Sequence, residues 1–308
     1  MPTAFRLLPT DCLLPIAYLL EMDSRQVSIG PIIAYCLLPT AYCSLGIQYK
    51  IDAMKIGLVL SGGGARGIAH IGVIKALEEL GLTFSCISGT SAGSIVGAMY
   101  TYGYKPGEIL EIIQKVTIFN SVRPAWTWAG LLTMDGMRDL LLKHMPENSF
   151  QQLKISLTIA ATEIRLGETH YFTEGELVPA VMASCTVPGV FPPLGLRGGL
   201  YVDGGILDNL PARPLKPKCD FIVGSHCNHI TREFDPRNMK VVIERTLLMA
   251  INVNTQLSKS LCDVLIEPPG LGKYSGFEIA KAREIFDFAY TFTKENFTEK
   301  DFVKTAAD

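Results

Sequence analysis

Lys55-Ile56-Gly57-Leu58-Val59-Leu60-Ser61-Gly62-Gly63-Gly64-Ala65-Arg66-Gly67 sets out a plan that Phe84-Ser85-Cys86-Ile87-Ser88-Gly89-Thr90-Ser91-Ala92-Gly93 repeats. In each, a short apolar run reads as a buried strand, a glycine-rich cluster as a tight turn, and the residues beyond as a helix start. The helices that follow are readable too. Ile68–Leu80 places Ile71, Ile74, Leu77 and Leu80 on one stripe with Gly81 as its stop, and Ala92–Tyr102 stops near Gly103. Successive strand–turn–helix units predict an α/β fold with a mainly parallel central sheet flanked by helices.

The second turn fits Gly-x-Ser-x-Gly, in which a sharp bend lifts a serine out of a strand and onto a helix start. Gly89 and Gly93 flank Ser91 because a Cβ on either side would crowd that bend. Ser91 could equally serve as a plain helix N-cap. Its strand–turn–helix setting favours a nucleophile. The first turn offers a row of backbone N–H groups at a helix start, suited to holding a negative oxygen. A nucleophile beside an oxyanion cradle implies acyl transfer to serine.

Gly62-Gly63-Gly64-Ala65-Arg66-Gly67 also satisfies Gly-x-Gly-x-x-Gly, the pattern of a dinucleotide site. Such a site needs a carboxylate at the end of the next strand to hold the ribose. That strand ends Cys86-Ile87-Ser88-Gly89, and Glu78 and Glu79 fall inside the intervening helix. The nucleotide reading fails there.

Further along, Pro106–Val116 and Asp135–His144 read as helices, and Ile155–Ala161 and Thr169–Phe172 as strands. Leu177–Ser184 reads as a short helix before the proline-rich Val187–Leu194. Leu200–Val202 is a short strand ending in Asp203-Gly204-Gly205. Phe221–Ser225 and Val264–Glu267 read as later strands, and Glu244–Asn254 and Phe277–Phe297 as helices. Asp203 could simply shape a turn, or it could accept the Ser91 proton if burial raises its basicity.

Among the five histidines, His70 reads as structural and His144 as a helix-end cation. His170 sits in a strand. His226 and His229 follow Asp203 in the order of a Ser–Asp–His triad. With Cys227 they could also be read as a metal site, but three residues in one short stretch rarely close one.

Composition narrows the setting. The chain has 308 residues, 48% hydrophobic and 19% charged, with a net charge of −2. That is enough for a large core, and no basic stripe points to nucleic acid. The eight cysteines show no CxxC pairs, so reduced and mostly buried thiols in a cytoplasmic protein are expected. Residues 1–53 differ from the rest. Leu7-Leu8-Pro9-Thr10-Asp11-Cys12 and Leu37-Leu38-Pro39-Thr40-Ala41-Tyr42-Cys43 are copies of one degenerate unit, and prolines break each apolar run before membrane-spanning length. The expectation is an N-terminal extension outside the fold, with one domain over 54–308.

Taken in order, Ser61–Gly67, Gly89–Gly93, Ala183-Ser184-Cys185-Thr186-Val187-Pro188-Gly189-Val190-Phe191-Pro192-Pro193 and Asp203–Gly205 resemble the patatin-like phospholipase family. The resemblance runs from about Leu58 to about Pro217, and nothing in residues 1–53 shares it. It implies a three-layer fold, a Ser91–Asp203 dyad without histidine, and an oxyanion hole from the N–H groups near Gly63, Gly64 and Ala65. The loop from Gly62 to Gly67 is the expected oxyanion hole, the oxyanion resting on the Gly62–Ala65 N–H groups, with Arg66 in the family's basic position.

The reaction expected is hydrolysis of lipid or phospholipid esters with no metal or cofactor, in the cytoplasm or peripherally at a membrane surface. An acyltransferase, a Ser–Asp–His esterase and a non-catalytic lipid-binding protein are the alternatives. Ser121–Thr133, with Trp126 and Trp128, reads either as the mouth where lipid enters or as core under a long loop.

Overall fold

The two opening strands pair side by side. In this computed structural model, β1 (Ile56–Leu60) and β2 (Cys86–Thr90) run parallel, with Leu60 level with Gly89. The structure describes residues 54–121, 134–232, 234–236, 239–276 and 278–303. All lie in the compact unit Ile47–Asp308. The repetitive N-terminus and the tryptophans at 126 and 128 lie outside the described residues.

The sheet adds β3 (Ser156–Glu163), β4 (Glu168–Phe172), β5 (Leu194–Leu196), β6 (Gly199–Asp203), β7 (Phe221–Ser225) and β8 (Val264–Ile266). Their order is β5-β6-β3-β2-β1-β7-β8, with β4 also on β3. The strands β3, β2, β1, β7 and β8 are parallel to their neighbours, whereas β4 and β6 join β3 antiparallel. The expected mainly parallel sheet is therefore present, with an antiparallel margin.

Side chains on β1 alternate between the two faces, as a strand requires. Ile56, Leu58 and Leu60 enter the larger core, while Val59 joins Leu210, Leu215 and Ile222 in a thinner one. Over the larger core lie α1 (Ala69–Glu79), α2 (Ala92–Tyr102), α3 (Pro106–Ser121), α4 (Met134–His144), α5 (Leu177–Ser184) and α7 (Ala282–Asn296), and α1 packs along α7. Helix α6 (Met239–Lys259) is longer than its pattern foretells. Its outward side carries Met239, Ile243, Leu247, Met249, Val253 and Leu257, so the apolar–polar alternation that marks a helix is faint there.

Boundaries move in two instructive places. Strand β2 extends through Gly89 and Thr90 to the foot of Ser91, because Gly89 lets the next helix close over it: a Cβ there would stand 2.5 Å from Gly93 O. Only Ala282–Asn296 of the expected C-terminal helix is α-helical, preceded by a single 3-10 turn at Ile279–Lys281. The cysteines depart from expectation in one pair: Cys86 and Cys219 meet sulfur to sulfur. Cys185 and Cys227 are free and buried, as expected.

Candidate active site

Ser91 stands between β2 and α2 with φ +50° and ψ −121°, a conformation that costs a non-glycine residue about 1–3 kcal/mol. Several bonds hold it there. Its N–H donates to Ser184 Oγ at 2.7 Å, and Ser184 in turn donates to Ala160 O at 2.6 Å. Its carbonyl accepts from the Ser94 N–H at 2.8 Å and the Ser94 hydroxyl at 2.6 Å. The flanking glycines are forced by contact: a Cβ on Gly93 would run into the Leu60 carbonyl.

Strand β3 brings Asp203 to the serine. Its residues pair in sequence with two different strands: Ala160 sits level with Thr90 of β2, and Ala161 with Asp203 of β6. The residue before the nucleophile and the carboxylate therefore occupy adjacent rungs. The Asp203 N–H donates to Thr186 O at 2.8 Å, and its carbonyl accepts from Thr162 Oγ1 at 3.0 Å. Its carboxylate accepts from Gly205 N–H at 2.8 Å and lies close enough to the Ser91 hydroxyl for the two to interact. Gly204 admits this turn because a Cβ would strike the Ala160 carbonyl.

Both side chains are 8% exposed. Burial pushes the Asp203 carboxyl up to about 6, against the opposing bonds from Ser91 and Gly205. Cys185 lies beside them. Burial and the Asp203 charge push its thiol up, so it stays protonated and unreactive.

The glycine loop meets the elbow directly. A Cβ on Gly62 would stand 3.2 Å from Ser91 Cβ, and one on Gly67 would strike Ala92 Cβ. Its N–H groups are not equivalent. Gly62 donates to Asn209 O at 3.0 Å, Ala65 to Gly276 O at 2.7 Å, and Arg66 to Gly63 O at 3.3 Å. Gly64 is exposed and Gly63 half-buried, and their N–H groups have no partner among the described residues. Gly64 holds φ +58°.

Beneath the loop, His70 is buried and neutral, its basicity lowered by burial to about 4. Its Nε2 donates to Ser61 O at 2.8 Å, and its Nδ1 accepts from Ser225 Oγ at 2.8 Å.

The other histidines lie apart from the serine. His226 Nδ1 bonds Glu267 at 2.7 Å, and His229 Nδ1 approaches the same oxygen at 3.7 Å. His144 meets Tyr104, and His170 packs with Phe172 and Tyr201. Lys259 also bonds Glu267. Although burial pushes that carboxyl up, His226 and Lys259 hold it down at about 2. Among the described residues, no group of three or more His, Cys, Asp or Glu could hold a metal ion.

Three contributors escape a reading of the sequence. Ser184 lies in a segment notable only for its resemblance, and nothing local marks it as the support of the Ser91 amide. Asn209 and Asn228 grip the Gly62 peptide, through Asn209 O and through Asn228 Nδ2 at 2.7 Å. Asparagine followed by Leu210-Pro211 reads from sequence as a turn, and Asn228 stands between two histidines that carry the stronger signal.

The arrangement defines an α/β protein with a strained serine on a strand–helix elbow, beside a buried carboxylate and a glycine-rich loop. The chain belongs to the patatin-like phospholipase family, whose model matches residues 58–216. Over 163 residues it is 36% identical to an uncharacterized NTE family protein of Mycobacterium tuberculosis, covering 52% of this chain and 45% of that protein. It is 28% identical over 286 residues to lysophospholipase nte1 of Aspergillus fumigatus, covering 82% of this chain and 18% of that protein. The chain thus spans less than half the length of these relatives.

Among solved structures it is similar to VipD from Legionella pneumophila, with 16% identity, a TM-score of 0.41 and coverage of 76% of this chain and 67% of that one. It is also similar to the ExoU–SpcU complex from Pseudomonas aeruginosa, with 18% identity, a TM-score of 0.40 and coverage of 80% and 52%.

Proposed function

We propose that this chain is a serine acyl hydrolase that cleaves lipid esters through a Ser91–Asp203 dyad. The observation that carries the reading is the strained elbow serine standing beside a buried carboxylate whose affinity for a proton is raised. Membership of a phospholipase family and similarity to a lysophospholipase support a lipid ester as substrate.

In the first half-reaction Asp203 takes the Ser91 proton as Oγ attacks the ester carbonyl carbon. The carbonyl π pair moves to oxygen, and the Gly63 and Gly64 N–H groups, the open donors of the loop, stabilise that charge. Collapse breaks the bond to the leaving alcohol, which takes the proton back from Asp203. In the second half, Asp203 takes a proton from water as it attacks the acyl-serine. The fatty acid leaves and Ser91 regains its proton. Cys185 stays outside the chemistry because it remains a thiol.

No helix among the described residues is long and apolar enough to cross a membrane, and contact with a lipid surface is proposed to be peripheral. The deciding experiment is turnover of a panel of phospholipids, lysophospholipids and short-chain esters by the full chain beside Ser91→Ala. Release of fatty acid by the wild type alone supports the reading, and equal release by both proteins removes it.

A further inference from the structure

Two consecutive peptide planes of the glycine loop are fixed through their carbonyl oxygens. The Gly62 oxygen accepts from Asn228 Nδ2 at 2.7 Å and from Cys227 Sγ at 3.4 Å. The Gly63 oxygen accepts from the Arg66 N–H at 3.3 Å. In a trans peptide the C=O and the following N–H point in opposite directions, and the described residues contain no cis peptide. Whatever holds the Gly62 carbonyl therefore sets the direction of the Gly63 N–H.

The space around the loop agrees with that direction. A Cβ on Gly63 would run into Cys227 Sγ and stand 2.9 Å from Asn228 Oδ1, whereas one on Gly62 would stand 3.2 Å from Ser91 Cβ and 2.6 Å from Asn209 Oδ1. Cys227 and Asn228 grip one flank of the loop, and the serine stands on the other. The grip is itself anchored, since the Cys227 N–H donates to Ser61 Oγ at 3.1 Å. Asn228 is 5% exposed, and its Oδ1 has no partner among the described residues. Among the described residues, this buried amide bonds the Gly62 carbonyl and leaves its acceptor unused, an arrangement stability alone does not favour.

We propose that Asn228 is a positioning residue: by holding the Gly62 carbonyl, its amide aims the Gly63 N–H at the acyl oxygen of the reacting ester. This rests on the hydrolase reading above. The residue touches neither the ester nor the serine, and acts through the peptide it orients. Its effect therefore belongs to the tetrahedral state, where the oxygen carries full charge, and not to ground-state binding.

The test compares full-length Asn228→Asp and Asn228→Ala with wild type and Ser91→Ala on p-nitrophenyl butyrate. Asn228→Asp keeps the shape and removes the Nδ2 donor, while Asn228→Ala removes the side chain. A trifluoromethyl ketone, which forms a tetrahedral oxyanion adduct with serine, serves as the transition-state probe.

In both variants kcat should fall about 10- to 100-fold with KM within about twofold of wild type. The inhibition constant of the ketone should rise by the same factor. Melting temperature and the fraction of chains labelled to completion by a fluorophosphonate should match wild type. If Asn228→Ala fails to fold, Asn228→Asp decides. Unchanged kcat and ketone affinity overturn the proposal, as does a loss that tracks the labelled fraction, which would make Asn228 a folding residue only. If Ser91→Ala turns over ester like wild type, the hydrolase reading falls and takes this inference with it. A dead Ser91→Ala beside fully active Asn228 variants removes this inference alone.

Discussion

Burial acts on Asp203 in two opposing ways. It makes the carboxylate a better base, the role proposed for it toward Ser91, and it makes the folded protein bear a poorly solvated charge once that carboxylate ionises. With the folded pKa raised from 3.8 to about 6, the protonated group stabilises the folded state below 3.8, and that contribution is lost as pH rises through about 6. Catalysis needs the ionised form, so kcat/KM on a short-chain ester should climb through an apparent pKa near 6. A flat profile from pH 5 to pH 8 would remove Asp203 as the base. Asp203→Asn should be inactive yet melt above wild type at pH 8, with the gap closing at pH 4; calorimetry at both values checks the sign. His229 bonds near Glu267 and not near Asp203, so His229→Ala should keep most of its turnover. A loss as deep as that of Ser91→Ala would restore the Ser–Asp–His alternative.

At the scale of elements, the sheet depends on close approach between backbones. A Cβ on Gly204 would strike the Ala160 carbonyl, whereas Gly107, in the first turn of α3, has nothing within 4 Å of the place a Cβ would take. Gly204→Ala should therefore destabilise by about 1–3 kcal/mol or more and displace Asp203, while Gly107→Ala should leave stability within about 0.5 kcal/mol. Urea unfolding of the two variants measures the contrast, and equal stabilities would mean the Asp203 turn is freer than it stands. Much of this level is legible in the sequence. Helices α2 and α5 and strand β7 fall where periodicity and glycine stops put them. The glycine turns and Asp203 stand out because each occupies a short local pattern. The pairing of β3 with both β2 and β6 is invisible there, because register is a relation between distant segments and no local pattern encodes it. Asn228 and Ser184 escape for the same reason, since each acts on a loop far away in the chain.

Among the described residues, the sheet, its helices and the candidate site are built from residues after Met54. Lys55 ties the start of β1 to Asp220, its N–H donating to Asp220 Oδ2 at 2.9 Å. We propose that the repetitive residues 1–53 are dispensable to the fold. A chain beginning at Met54 should express, melt cooperatively and turn over ester at least as well as the full chain. An insoluble or inactive product would make the N-terminal segment a structural part of the protein. The composition says that the chain is globular and large enough for a core, but it does not say which surface meets the substrate, because that depends on how the elements pack.

Strand β3 has a consequence in time as well as in space. Thr90 and Asp203 lie on consecutive rungs beside Ala160 and Ala161, and those rungs exist only after β3 has received a parallel neighbour and an antiparallel one. A half-built sheet holds Ser91 without Asp203 beside it. On the proposed dyad, a newly made chain is silent toward lipid esters until both pairings of β3 have formed. During refolding, ester turnover should return together with the slowest recovery of tertiary structure and well after the helical signal, making the enzyme's own activity the clock of its assembly.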